Sequence, residues 1–100
     1  MAKKTTLGSA LQTARKARGL SQEAFSDVSS RTYLSTLERG LKSPTLKKLE
    51  ELCEVLDLHP LTLLLLSYTS NQKQARELAE KILDEAESIR TQKAKAPNSN

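Results

Sequence analysis

LSQEAFSDVSSRTYLSTLERG, residues 20–40, predicts a capped helix, a tight polar turn and a second short helix. Ser21 offers its hydroxyl as the N-cap of the first helix, which we expect over about residues 21–28. Ser30 can cap the second helix, over residues 31–39, which begins with basic and small polar side chains. Two helices that cross at a steep angle let the second enter the major groove of DNA and present its first turns to the bases.

Helices are also predicted on both sides of this stretch. Apolar residues recur at helical spacing over residues 7–18, and Gly19 follows where the end of a helix favours glycine. After a turn, with Ser43 or Thr45 as the cap, residues 46–56 carry an apolar stripe on one face and charged residues on the other. Both patterns are typical of helices that pack one side against a core.

A fifth helix is predicted to begin at His59 and Pro60, as cap and first helical residue. Its leucines surround it on nearly every side, at Leu61, Leu63, Leu64, Leu65 and Leu66. Such a helix has to be buried all round, partly by something beyond one small core. We therefore place a domain over residues 7–67 and expect a partner for this helix.

The C-terminal region, residues 68–91, is predicted to be a helical extension, with its helix beginning after a polar break at residues 67–73. A weak heptad seam runs along it, with residues at alternate spacings of four and three, at Ala75, Ala79, Ile82, Ala86 and Ile89. This helix either pairs with a second copy or lies back over the leucines of its own domain. Residues 92–100 lack an apolar period and are predicted to be disordered, and residues 1–6, with Lys3 and Lys4, to form a flexible basic arm.

The charge of the chain is unevenly distributed. The first fifty residues carry ten Lys and Arg against four Asp and Glu, whereas the second fifty carry six against eight. A basic half suits a polyanion such as a nucleic acid. The longest apolar run, residues 63–66, is far shorter than the roughly 18 residues of a membrane helix, and the start shows no export leader. We expect a soluble cytoplasmic protein with no membrane contact.

Metal and enzyme chemistry are not indicated. Cys53 is the single cysteine and lies in an apolar stripe, so we interpret it as a small core residue in a reducing cytosol. With one histidine and one cysteine no metal cluster can be assembled, and we expect no cofactor. The sequence also shows no nucleophile with a base, no carboxylate pair in an apolar pocket and no phosphate loop, so we do not expect an enzyme.

Several short pieces together resemble the Xre or Cro/CI family of helix-turn-helix domains, which includes lambdoid phage repressors and restriction-modification controller proteins. The matched pieces are Leu20-Ser21-Gln22-Glu23, Ser30-Arg31-Thr32-Tyr33-Leu34-Ser35, Leu37-Glu38-Arg39-Gly40 and Ser43-Pro44. The resemblance covers about residues 7–66. It implies an all-α, five-helix Cro/CI or lambda-repressor-like domain, to which this chain adds a C-terminal helix and a disordered tail. Between Gln22 and Glu38 the chain is two residues shorter than the family pattern and lacks the usual turn glycine. We expect Ser29 to take the place of that glycine in the turn.

The resemblance also assigns roles to residues around the second helix of the motif. Arg31, Thr32 and Thr36 are expected at base edges, with Ser35 on the same face, and Arg31 can bind guanine in bidentate fashion. Gln22 is expected to contact the DNA backbone or to support a recognition residue, and Tyr33 to approach the backbone or to cover the turn. The remaining expected backbone contacts are Ser30, Arg39 and Lys42. Arg15 and Glu38 are expected to form a semi-buried, structural ion pair.

The leucine-rich fifth helix resembles the element through which several family members dimerise. We predict a homodimer interface of Leu61, Leu64, Leu65 and Leu66, with Ile82 and Ile89 from the C-terminal helix. The function implied is a sequence-specific regulator that binds double-stranded DNA, a dimeric repressor at a palindromic operator, nucleoid-associated when bound. The alternative is an antitoxin-like regulator that binds a protein partner as well as DNA.

Overall fold

The structure, a computed structural model, describes residues 6–95, and of residues 93–95 only the backbone. Within this range helices joined by turns are the only regular secondary structure, and there is no strand. The elements are α1 (Leu7–Ala17), a 3₁₀ helix (Gln22–Phe25), α2 (Arg31–Glu38), α3 (Leu46–Leu56), α4 (Pro60–Tyr68) and α5 (Gln72–Lys95). The predicted all-α fold with an added C-terminal helix is confirmed.

One hydrophobic core joins every element from α1 to α4. Its largest fully buried side chains are Leu11, Phe25, Leu34, Leu37, Leu52, Leu56 and Leu63. Cys53 is buried among them, and burial raises the pKa of its thiol above the ordinary value because the thiolate would lose its hydration. The cysteine therefore packs as a small apolar residue, as predicted.

Side-chain caps set where the helices begin. The Ser30 hydroxyl accepts the backbone N–H of Tyr33 at 3.0 Å, and so fixes the start of α2. Thr45 caps α3 by accepting the Lys48 N–H at 3.1 Å, which decides between the two predicted caps of this helix. His59 caps α4, as predicted, and its Nδ1 accepts the backbone N–H of the second helical residue at 3.0 Å.

The helix ends require left-handed backbone at three positions. Gly19 after α1 and Gly40 after α2 have φ of 71° and 76°, values that glycine adopts without strain. Asp57 ends α3 at φ 59°, where a glycine would be expected. The guanidinium of Arg18 covers this end by donating to the Leu56 carbonyl at 2.8 Å and to the Asp57 carbonyl at 3.0 Å. Arg18 lies within the helix predicted over residues 7–18, and its link to α3 leaves no signal in the sequence pattern.

The predicted helix at residues 21–28 is wrong in length and in cap. The segment forms only the 3₁₀ turn Gln22–Phe25 and continues as turns to residue 28. Ser21 makes no side-chain cap bond there, and only its carbonyl accepts, from the Ala24 N–H at 3.1 Å. Ser26 and Asp27 disfavour a helix interior, which favours turns over a continued helix here. Among residues 6–95 positive φ outside glycine occurs only at Asp57, so Ser29, which we expected at the position of a turn glycine, does not adopt left-handed backbone.

Gly8 lets α1 begin directly against the end of α2. A Cβ atom at this position would lie 2.2 Å from the Leu37 carbonyl oxygen and 2.9 Å from that of Glu38. Both obstacles are backbone, which cannot move aside like the end of a flexible side chain. The crossing of α1 and α2 therefore depends on this glycine, which the sequence pattern did not single out.

The helix α5 extends further toward the C-terminus than predicted and packs on α4. It continues to Lys95, past residue 92, where we predicted the disordered tail to begin. Lys, Ala and Gln are good helix formers, and the next proline is Pro97, so nothing in residues 92–95 ends the helix. The rest of the predicted tail, residues 96–100, and the predicted arm except Thr6 lie outside the described residues. No helix within residues 6–95 is long and apolar enough to cross a membrane.

An open apolar groove of about 540 Å³ separates α4 from α5 along part of their length. We call it the α4–α5 groove. It is lined by Leu61, Leu64, Leu65 and Tyr68 of α4 and by Leu78, Ala79, Ile82 and Leu83 of α5.

Candidate nucleic-acid interface

The two apolar residues of α2 point into the core and leave its polar side outward. Leu34 and Leu37 are fully buried. Arg31 and Thr32 are exposed, and Ser35 and Thr36, one helical turn further on, are half-buried. At helical spacing Thr32, Ser35 and Thr36 lie on the side of α2 away from the two leucines, with Arg31 at its edge. We call the surface of these four residues the α2 outer face.

The donors and acceptors on the α2 outer face differ in what they can offer a ligand. The Thr36 hydroxyl donates to the Thr32 carbonyl at 2.9 Å, so its proton is used within the helix. Its methyl group and oxygen lone pairs remain available. Arg31, being exposed, keeps its guanidinium donors in solvent.

The residues predicted to contact the DNA backbone surround this face. The Ser30 hydroxyl oxygen is occupied by its cap bond, but its proton remains free to donate. The Tyr33 ring is half-buried and packs against the core. Arg39 and Lys42 are exposed just beyond the end of α2. Gln22 differs from these, because its side-chain amide donates inward, to Glu38 Oε1 at 3.1 Å.

A buried ion pair holds the end of α2. Arg15 Nε lies 2.6 Å from Glu38 Oε2, and the second nitrogen of this contact lies 3.1 Å from Oε1. The remaining guanidinium nitrogen donates to the Leu20 carbonyl at 2.9 Å. The hydrogen bond to Glu38, aided by its charge, raises the pKa of Arg15 although burial opposes this. With Gln22 as a third donor to the carboxylate, the network joins α1, the 3₁₀ helix and α2.

A second link positions the start of α2 and was not predicted. The Lys48 ammonium of α3 donates to the Val28 carbonyl in the turn before α2 and lies 3.0 Å from a Glu51 carboxylate oxygen. The sequence showed Lys48 only as part of the charged side of its helix. The spacing to Glu51 was visible, but a backbone carbonyl from another part of the chain leaves no sequence signal.

The predicted dimer residues are only partly brought together. Leu61, Leu64, Leu65 and Ile82 line the α4–α5 groove. Leu66 is outside its lining and 43% exposed, and Ile89 lies further along α5. Among residues 6–95 no group of three His, Cys, Asp or Glu side chains is placed to hold a metal ion.

The match to a known family covers the part of the chain that carries this surface. A helix-turn-helix family model matches residues 11–63, more than half of the chain, from α1 into α4. No curated protein and no solved structure matches the chain. The predicted resemblance and the Cro/CI-like fold are thereby confirmed, and the family is one of DNA-binding regulatory domains and not of enzymes. The chain therefore belongs to the Xre/Cro-CI-type helix-turn-helix family of DNA-binding transcription regulators.

Proposed function

We propose that this regulator is a homodimeric repressor that binds a palindromic operator in double-stranded DNA, cytoplasmic and nucleoid-associated when bound. The observation that carries the proposal is the α2 outer face, a polar surface on a short helix whose opposite side is fixed in the core. A helix held in this way can enter a major groove without rearrangement, and a repressor bound there blocks the polymerase.

Base recognition is assigned to the α2 outer face. The Arg31 guanidinium binds O6 and N7 of a guanine in bidentate fashion. The hydroxyls of Thr32 and Ser35 donate to or accept from base edges. Thr36, whose proton is used within the helix, contributes its methyl group to a thymine methyl.

Positioning on the DNA backbone is assigned to the residues around that face. The free proton of the Ser30 hydroxyl donates to a phosphate, and Tyr33 donates from its phenol while its ring covers the turn. Arg39 and Lys42 supply positive charge beyond α2. Gln22 acts by supporting Glu38, and so α2, while the backbone at the start of its 3₁₀ helix faces a phosphate.

The experiment that tests base recognition compares two exposed cations. Selection of bound fragments from random DNA first defines the operator. Arg31→Ala should then weaken operator binding by about 1–3 kcal/mol and relax the preference at one base pair of each half-site. Lys42→Ala should weaken binding to all sequences alike and reduce the salt slope by roughly one unit. Equal loss for operator and random DNA in Arg31→Ala would show that Arg31 contacts only phosphate.

The dimer is proposed because α4 carries more apolar surface than its own chain covers. Leu63 alone of its leucines is fully buried, whereas Leu61 is 63% exposed. Covering one leucine side chain contributes roughly 1.5–3 kcal/mol, so a few per subunit offset much of the cost of association. A two-fold dimer through this surface presents two α2 helices to successive major grooves, with half-sites about 10 base pairs apart.

Leu41 provides a matched control for the dimer, because it is 63% exposed as Leu61 is but lies outside the α4–α5 groove. Leu61→Glu should shift the chain toward monomer in sedimentation and weaken binding to the palindrome. Leu41→Glu should leave the mass unchanged. A wild-type monomer that binds a single half-site tightly would rule out the proposed dimer.

The competing function is that of an antitoxin-like regulator, in which another protein fills the α4–α5 groove while the domain binds DNA. The exposed leucines of the groove are the observation that favours it. Co-expression with the product of a neighbouring gene tests it. A stable complex that replaces the homodimer, and that Leu61→Glu abolishes, would establish the antitoxin-like function.

A further inference from the structure

The seam of α5 is an apolar surface that its own chain covers only in part. The alanines at 75, 79 and 86 are half-buried. Ile82 is 48% exposed and Ile89 is 64% exposed. Because these residues follow each other at spacings of four and three, they form the kind of stripe along which two helices pack in a coiled coil.

The α4–α5 groove shares Ala79 and Ile82 with the seam and extends this apolar surface to α4. Leu78 and Leu83 stand on the two flanks of the seam, both line the groove, and Leu83 is 68% exposed. Together with the leucines of α4 they form a contiguous exposed patch of the kind that marks an interaction site. A partner that fills the groove has to present apolar side chains of its own.

The charges beside the seam indicate which occupant fits. Leu78 and Glu85 lie on one flank, and Leu83 and Arg90 on the other. In a parallel pair of helices, a residue on the first flank faces the partner residue five positions further along. Leu78 then faces the partner's Leu83, and Glu85 faces the partner's Arg90. By symmetry each contact occurs twice.

An antiparallel pair with the same seam brings like residues together instead. Glu85 would face the partner's Glu85, and Arg76 would face the partner's Arg90. Opposite charges across a helix interface select a pairing and like charges oppose it. The charges of α5 therefore favour the parallel arrangement.

We infer that α5 pairs with α5 of a second copy as a parallel two-stranded coiled coil, in which the partner's Leu83 enters the α4–α5 groove beside Leu78. The two Glu85–Arg90 pairs set its direction and register. In the single chain Glu85 lies 3.3 Å from Lys81, both exposed, so its carboxylate is accessible to a partner. The inference rests on the proposed homodimer but not on DNA binding.

Disulfide formation tests the direction of the pair in the full-length chain. Equivalent seam positions of parallel helices face each other within the Cα separation of about 4.4–6.8 Å that a disulfide needs. Ile89→Cys should therefore form a covalent dimer on mild oxidation. Ser88→Cys, on the outer side of α5, is the control and should not, and the native Cys53 is buried in both variants. A dimer in sedimentation that Ile89→Cys fails to cross-link would overturn the inference.

Charge substitutions test the register. Glu85→Gln should raise the dimer dissociation constant roughly 2- to 25-fold at low salt, as expected for the loss of two exposed ion pairs. Lys81→Gln is the matched control, because it removes only the contact within one helix. An equimolar mixture of Glu85→Lys and Arg90→Glu should form mixed dimers in preference to either homodimer. A tighter dimer for Glu85→Gln would indicate the antiparallel arrangement and overturn the inference.

The two proposals fail separately. Selection of a palindrome by a dimer that does not cross-link at residue 89 would overturn the coiled coil but still support the proposed repressor function. Cross-linking at residue 89 without any selection of DNA would support the coiled coil and overturn the proposed operator binding. A chain that remains monomeric at every concentration would overturn the coiled coil together with the proposed homodimer.

Discussion

Replacing Glu38 with leucine should destabilise the fold by about 3–5 kcal/mol, because it leaves the Arg15 guanidinium buried without its counter-charge. The Arg15 side chain is 11% exposed and the Glu38 side chain 1%, so water cannot take the place of the carboxylate. The substitution also removes the acceptor of the Gln22 amide. A loss of this size is a large share of the roughly 5–15 kcal/mol that stabilises a domain.

The double variant Arg15→Leu with Glu38→Leu separates the cost of a stranded charge from the cost of lost contacts. With both charges gone, only the Leu20 carbonyl and the Gln22 amide lose partners, and each can cost about 1–3 kcal/mol if it stays dry. Both groups belong to half-buried residues that water can reach, which places their cost at the low end. The double variant should therefore be more stable than Glu38→Leu alone.

Urea unfolding followed by circular dichroism measures these differences through the transition midpoint, provided that the slope is unchanged. Glu54→Leu is the control for introducing leucine on a helix, since Glu54 is exposed and its replacement should change stability by less than about 0.5 kcal/mol. If the double variant is as unstable as the sum of the two single variants, the pair is not coupled. The reasoning from a stranded charge is then refuted.

Three further predictions concern the scaffold. Gly8→Ala should lower stability by about 1–3 kcal/mol through the clash with backbone at the end of α2, although alanine favours helices. The control is Gln12→Ala, which should raise the melting temperature, and a similar rise for Gly8→Ala would contradict the close approach. Arg18→Ala should cost about 0.3–1 kcal/mol by uncovering the end of α3, whereas Lys16→Ala, at an exposed position on α1, should be neutral in the same urea titration. Because burial raises the pKa of Cys53 above 9.0, the folded thiol stays protonated at pH values where the thiol of the unfolded chain ionises. The contribution of the buried thiol to the free energy of unfolding is complete below about pH 9 and is lost as the pH rises from there. Wild type should thus lose more stability than Cys53→Ala between about pH 8 and about pH 10, and equal losses would count against a buried thiol.

Local signals in the sequence predicted the helix ends well where the cap is local. His59 caps α4 through a bond to a residue two positions away, and Gly19 ends α1 through its own backbone. The inward side of α2 followed from Leu34 and Leu37, the two leucines of that helix. Because these features depend on neighbours in the chain, they could be predicted from the pattern alone.

What the sequence did not reveal depends on distant parts of the chain. Gly8 is required only because the end of α2 lies against it, and Lys48 matters because a turn twenty residues earlier offers it a carbonyl. The same holds for Arg18, whose acceptors lie at the far end of α3. The 3₁₀ turn at Gln22–Phe25 was missed because good cap residues predicted a full helix where the short segment allows one turn.

The α2 outer face contributes little to what keeps the domain folded. The helix α2 is anchored by its two buried leucines, by the ion pair at its end and by Lys48 before its start, and none of these involves Arg31, Thr32, Ser35 or Thr36. Side chains at these four positions can therefore be exchanged at small thermodynamic cost, so that a change in the proposed base contacts would not require a new scaffold. A set of such variants would share one unfolding transition and differ in the DNA that they select.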